Sequence, residues 1–145
     1  MADAFYDNFR NIMVSCGNDG VHGAIDLGSG GNAIKIILYD EGTDALNLAD
    51  QDLADITSGA RVATSAAVGS QTVGTAATGA FDHADVTFSS VTGASVESLT
   101  YFNDTPATEA TKPLIVNIDS ATGLPVTRNG GNITWTVAAG GVFQI

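Results

Sequence analysis

Apolar residues change their spacing once along this chain. Near the start, Phe5, Phe9, Ile12 and Met13 recur at helical intervals, with Asp7, Asn8 and Arg10 between them. The spacing predicts a short amphipathic helix, with Asp3 as N-cap and Gly17-Asn18-Asp19-Gly20 as its stop. Its single apolar face can close one end of the domain or dock as an arm on a neighbouring molecule. From Ile34 onward the period shortens towards two, as in a strand. Segments rich in Val, Ile, Thr and aromatic residues fall at 34–39, 61–68, 71–73, 85–91, 95–103, 114–119, 132–137 and 142–145, with Gly or Asn-Gly between many of them. Alternation is clearest in Val86-Thr-Phe88, Leu114-Ile-Val-Asn-Ile118 and Ile133-Thr-Trp-Thr-Val137, which predicts one buried face for each. About eight strands in this arrangement predict an all-β fold, a β-sandwich or jelly roll with a short N-terminal helix. The expected organisation is a helix or arm over 1–20 and a single β-sandwich domain over 21–145.

The connecting segments refine this outline. Gly28-Ser29-Gly30-Gly31 has the glycine density of a phosphate loop, but no Gly-Lys-Ser/Thr follows it and the next residues read as a strand. A phosphate cradle needs the amides of a helix N-terminus, so a turn before a strand is expected. The acidic stretch 40–57 reads as a loop with a helical turn around 50–56. Between 63 and 80 the chain is almost wholly Ala, Ser, Thr, Gly and Val, which bury little area each. That run is either a flat contact face or a pair of edge strands joined by a turn.

Size and charge narrow the function. A chain of 145 residues is one domain, able to bury roughly 68% of the surface its unfolded form exposes without help from disulfides or metal. The lone Cys16 offers no intramolecular bridge and reads as a small hydrophobe or idle thiol. No leader of the secretory type is expected in the first residues, where Asp3, Asp7 and Asn8 interrupt any apolar run. No stretch has the roughly 20 apolar residues of a membrane-spanning helix. Five basic residues face sixteen acidic ones, for a formal net charge of −11. Arg10, Lys35, Arg61, Lys112 and Arg128 are scattered, so neither nucleic acid nor an anionic membrane is an expected partner.

Candidate chemistry is sparse. His83 lies between Asp82 and Asp85 in Phe81-Asp-His-Ala-Asp85, residue types that suit a divalent metal or a proton relay. In a turn before a strand, such Asp side chains more often bond local backbone, and that is the expectation here. No Gly-x-Ser-x-Gly elbow occurs in a strand–turn–helix setting. Asp104, Glu109 and Asp119 do not match a calcium loop. Tyr101 and Trp135 suit a sugar-stacking surface, but their alternating strands point to core or interface positions. Neither enzymatic activity, a catalytic or metal site, nor a cofactor is expected.

Several of these segments carry a resemblance. The opening Met1-Ala-Asp-Ala-Phe-Tyr-Asp-Asn-Phe9, the strand Ile34-Lys-Ile-Ile-Leu38 and Ile56-Thr-Ser-Gly-Ala-Arg-Val-Ala-Thr-Ser65 are three of them. With Gly79-Ala-Phe-Asp-His-Ala-Asp-Val-Thr-Phe88, Val91-Thr-Gly93 and Ala121-Thr-Gly-Leu-Pro-Val-Thr127, they resemble a family of tailed-phage virion structural proteins. The residues around 15–32 and the Ala-rich run near 74–78 depart from that pattern. The resemblance implies a capsid decoration (cement) protein on the capsid exterior, made in the bacterial host cytoplasm. Its implied partners are the major capsid protein and copies of itself, with a homotrimer as the first expectation. A tail or neck component and a host-surface glycan-binding module are the alternatives. In such an assembly Phe5, Phe9, Ile12 and Met13 of the helix, with Val68 and Val73 of the small-residue run, are the expected contacts. On that reading Phe9→Asp weakens assembly and leaves the β fold intact.

Overall fold

The computed structural model describes residues 3–15, 20–74, 79–93 and 95–144. Cys16, most of the expected helix stop, and the 75–78 part of the small-residue run lie outside the described residues. The fold is all-β with one short N-terminal helix. In chain order the elements are β1 (Ala4–Phe5), α1 (Asp7–Val14), β2 (Ile34–Tyr39), β3 (Arg61–Thr64), β4 (Thr72–Val73), β5 (Ala80–Asp82) and β6 (Val86–Phe88). Then come β7 (Ser98–Asn103), β8 (Leu114–Ile118), β9 (Ile133–Trp135) and β10 (Phe143–Gln144). Single 3-10 turns at Leu53–Asp55, Ser58–Ala60 and Glu109–Thr111 punctuate the loops. The helical turn expected around 50–56 is the first of these.

Pairing is antiparallel throughout. A five-stranded sheet runs in the order β1-β8-β7-β2-β3, beside a three-stranded sheet β10-β5-β4 and a two-stranded sheet β6-β9. Within the small-residue run β3 of the large sheet and β4 of the three-stranded one are both edge strands, while Ala80 at its end opens the central β5.

The large sheet departs from expectation in one respect: all residues of β7 and β8 are buried, and all of β2 except the half-buried Lys35. Alternate residues feed two cores. Ile34, Ile36, Leu38, Leu99, Tyr101, Val116 and Ile118 pack into the larger one, under Phe81, Phe88 and the half-buried Val86, Ile133, Trp135 and Phe143 of the small sheets. Ile37, Tyr39, Phe102 and Leu114 enter the second, which the loop residues Leu53, Ile56 and Ala60 cover with Leu46 and Leu48. Thus β8 is covered on both faces, where its alternation predicted one. Two bulges adjust the pleat. Tyr101 pairs with Val116 and Phe102 with Leu114, which leaves Ile115 as the extra residue. Leu38 pairs with Ala63 and Tyr39 with Arg61, which leaves Val62. The first bulge lets Ile115 join Val116 in the larger core.

The N-terminal segment belongs to this architecture. Ala4 and Phe5 pair with Asn117 and Val116, so the helix begins three residues later than an Asp3 cap predicts and follows an edge strand. Tyr6 is the N-cap, without a side-chain cap bond. Asp3, the expected cap, instead accepts bonds from the Asp119 and Ser120 amides (3.2 and 3.1 Å) and from the Ser120 hydroxyl (2.7 Å). The Phe5 ring stacks on Phe9 and meets Phe143 edge-on. A boundary at residue 20 therefore does not separate a free arm from the β domain.

The turn expected at Gly28–Gly31 is present. Asp26 accepts the Gly28 amide on its carboxylate (2.9 Å) and the Asn32 amide on its carbonyl (2.7 Å). A side chain at Gly31 would collide with that carbonyl.

Candidate functional site

The six expected contact residues separate by burial. Phe9, Ile12 and Val68 are 1%, 1% and 6% exposed and belong to the cores of the chain itself, and Phe5 is half-buried against them. Phe9 and Ile12 face inward because the helix lies on β8, while the expected docking face needed them outward. Met13 and Val73 are 41% and 47% exposed. Val14, which the helical spacing did not single out, is 86% exposed. Met13 and Val14 border a hollow of about 180 Å³, lined also by Phe5, Phe9 and Arg10. Arg10 is turned to Asp7 at 3.4 Å. Val73 stands on β4 and does not line this hollow.

Both histidines are tied into polar networks. Nδ1 of His83 lies 2.7 Å from the Ala84 carbonyl, which only accepts, so Nδ1 carries the proton. Nε2 then accepts from the Tyr101 hydroxyl at 2.9 Å, and the Tyr101 oxygen accepts the Trp135 indole N–H at 2.7 Å. Each group in this chain has a partner of the right kind. Burial lowers the His83 pKa against the opposing pull of the Ala84 bond, Asp82 and Asp85, in keeping with a neutral ring. Burial raises the Tyr101 phenol. The expected local bonding holds for Asp82, which accepts the His83 amide at 2.8 Å. Asp85 reaches further, to the Val137 amide at 2.9 Å.

His22 links the helix to the loop over the second core. Asn8 Nδ2 donates to its Nδ1 at 3.2 Å, so Nε2 donates to Asp52 Oδ1 at 2.8 Å. Nothing in the spacing of Asn8, His22 and Asp52 announces this contact; only the packing of α1 beside that loop creates it. The acidic residues named as calcium candidates go elsewhere. Asp104 binds Lys35 and Lys112 at 2.7 and 2.6 Å, and Glu109 binds Arg61 at 2.9 Å. Burial would raise the Asp104 carboxyl, but the two ammonium groups outweigh it and its pKa falls. Among the described residues no group of three His, Cys, Asp or Glu side chains is placed to hold a metal ion.

Two adjoining hollows measure about 240 and 480 Å³. They share Ala121, Thr122, Thr134 and Trp135 and lie between β9 and the loop after β8. The smaller is mainly apolar, with Leu38, Val96, Leu99 and Leu124 in its wall. The larger carries the hydroxyls of Ser120 and Thr136 and the Asp3 carboxylate. Tyr101, paired with Trp135 as a possible stacking residue in the sequence, is fully buried, whereas Trp135 is half-buried and lines both hollows. Comparison with protein-family models, curated proteins and solved structures finds no match to this chain.

Proposed function

We propose that the protein is a tailed-phage virion structural protein, a capsid decoration (cement) protein that binds the outer shell and bridges neighbouring capsomers. Its partners on this reading are the major capsid protein and further copies of itself, and it works by contact without catalysis. The sequence resemblance is the origin of the proposal. The structural observation that supports it is the exposed apolar pair Met13 and Val14, beside an apolar hollow on a helix anchored in the core. Such a face offers a rigid contact that needs no reordering on binding. Many symmetric copies then multiply a modest contact through avidity. Acidity suits an exterior position, because a formal charge of −11 repels packaged nucleic acid.

The test uses capsids that lack the protein. Purified protein is expected to co-sediment with them, and Met13→Asp combined with Val14→Asp is expected to weaken the binding by about tenfold or more, since contact hot spots exceed about 2 kcal/mol. Circular dichroism is expected to be unchanged, because both side chains lie on the surface. A folded double variant that binds as well as the parent would remove this face from the account.

A further inference from the structure

We infer that the paired hollows beneath Trp135 form a binding site for a neutral oligosaccharide, a property separate from shell binding. The site is built on strands. Trp135 sits at the end of β9, and its indole N–H is fixed internally by the Tyr101 hydroxyl at 2.7 Å. That bond turns the pyrrole edge inward and holds the ring in one orientation, and the ring lines both hollows. The Tyr101 hydroxyl is held in turn by His83. An aromatic platform immobilised before the ligand arrives loses little entropy on binding.

The lining selects the ligand class. The smaller hollow is mainly apolar, with Thr122, Asn132 and Thr134 among its lining, and the adjoining one adds Ser120 and Thr136; the Ser120 hydroxyl is donated to Asp3 and that of Thr134 bonds Thr87. A pyranose is amphipathic in the same way, with C–H faces that pack on an indole and hydroxyls at its rim. At about 480 Å³ the larger hollow is of ligand-site size, and the smaller one, at about 240 Å³, adjoins it. Charge narrows the class further. Asp3 is the one ionised side chain lining either hollow, and Lys and Arg are absent from both linings. A phosphate, a nucleic acid or an acidic sugar would therefore meet no cation and one carboxylate, on a protein that is itself strongly acidic. Oδ1 of Asp3 already accepts three bonds from the 119–120 segment, which holds the loop wall in place.

The chain holds a single tryptophan, so emission excited selectively in tryptophan reports on this site. The experiment titrates the isolated full chain with maltotriose, cellotriose, mannotriose and the trimer of N-acetylglucosamine, following Trp135 emission and amide NMR shifts. Saturable changes with at least one trisaccharide are expected, with a Kd on the order of 1 mM for a single weak site. The shifted amides should cluster at 121–123 and 134–136. Thr122→Lys places a long side chain at the mouth of both hollows from an exposed loop position, and should abolish the response while thermal unfolding stays as in the parent. No response to any of the four sugars overturns the inference, as does an equal response in folded Thr122→Lys. A response to an acetylated Val-Thr-Val-Thr peptide without any to the sugars also overturns it and makes the hollows a peptide groove. Because no capsid is present, the result is independent of shell binding.

Discussion

The Tyr101 hydroxyl stands between a donor and an acceptor, the Trp135 indole and His83 Nε2, and satisfies both inside the core. Tyr101→Phe leaves those two groups without that partner, so it is expected to destabilise the fold by about 1–3 kcal/mol, read by urea unfolding. The same network gives a pH dependence whose sign follows from the lowered His83 pKa. The unfolded chain takes up the proton more readily, so its stabilising effect is whole above the ordinary value of 6.5 and declines as pH falls below it. His83→Gln should flatten the slope of unfolding free energy against pH in that range; an unaltered slope would assign it to other groups. Sequence legibility at this scale was uneven. The local bond of Asp82 follows from turn chemistry, because it joins adjacent residues. The reach of Asp85 to Val137 and of His22 to Asp52 depends on strand and loop neighbours far apart in the chain, which spacing does not encode.

The N-terminal helix shows what periodicity gives and withholds. It marked Phe9 and Ile12 as one apolar face, and they do share one; it could not say whether that face meets this chain or another. Both lie in the interior at 1% exposure. Phe9→Asp therefore places an unpaired charge in the core and cannot serve as a clean assembly variant. Phe9→Ala is expected to cost about 3–5 kcal/mol of stability, measured by chemical denaturation, whereas Met13→Asp at the exposed edge should cost little. For Leu114-Ile-Val-Asn-Ile118 alternation predicted one buried face; the two-sided burial of β8, like that of β2, goes instead with a near-continuous apolar run, a mark of strands covered on both faces. The two-residue and three-residue strands β1 and β5 were missed because they are too short to show a period. One glycine controls the joining of β10 to β5. Gly141 has φ +90°, and a Cβ there would stand 2.7 Å from the Phe81 carbonyl. That carbonyl accepts the Val142 amide at 2.8 Å, so Gly141→Ala is expected to loosen β10, seen as faster amide exchange at Val142.

Across the whole molecule, charge organises the surface. The five cations are engaged within the chain: Lys35 and Lys112 at Asp104, Arg61 at Glu109, Arg10 at Asp7, and Arg128 at the Thr92 carbonyl. Carboxylates outnumber them, and Asp3, Asp26, Asp55 and Asp85 add exposed negative charge, which fits a contact made through apolar shape more than through basic patches. The all-β class was legible from the punctuated Val, Ile and Thr segments. Its division into a five-stranded sheet covered by smaller ones was not, because strand order depends on long-range pairing. The central claim, that the protein is a component of the phage shell, is tested most directly by imaging. The tagged chain is added to particles that lack it, and the complexes are examined by cryo-electron microscopy. The account predicts density repeated over the head lattice at local symmetry positions; label confined to a vertex, neck or tail, or no binding at all, would contradict it.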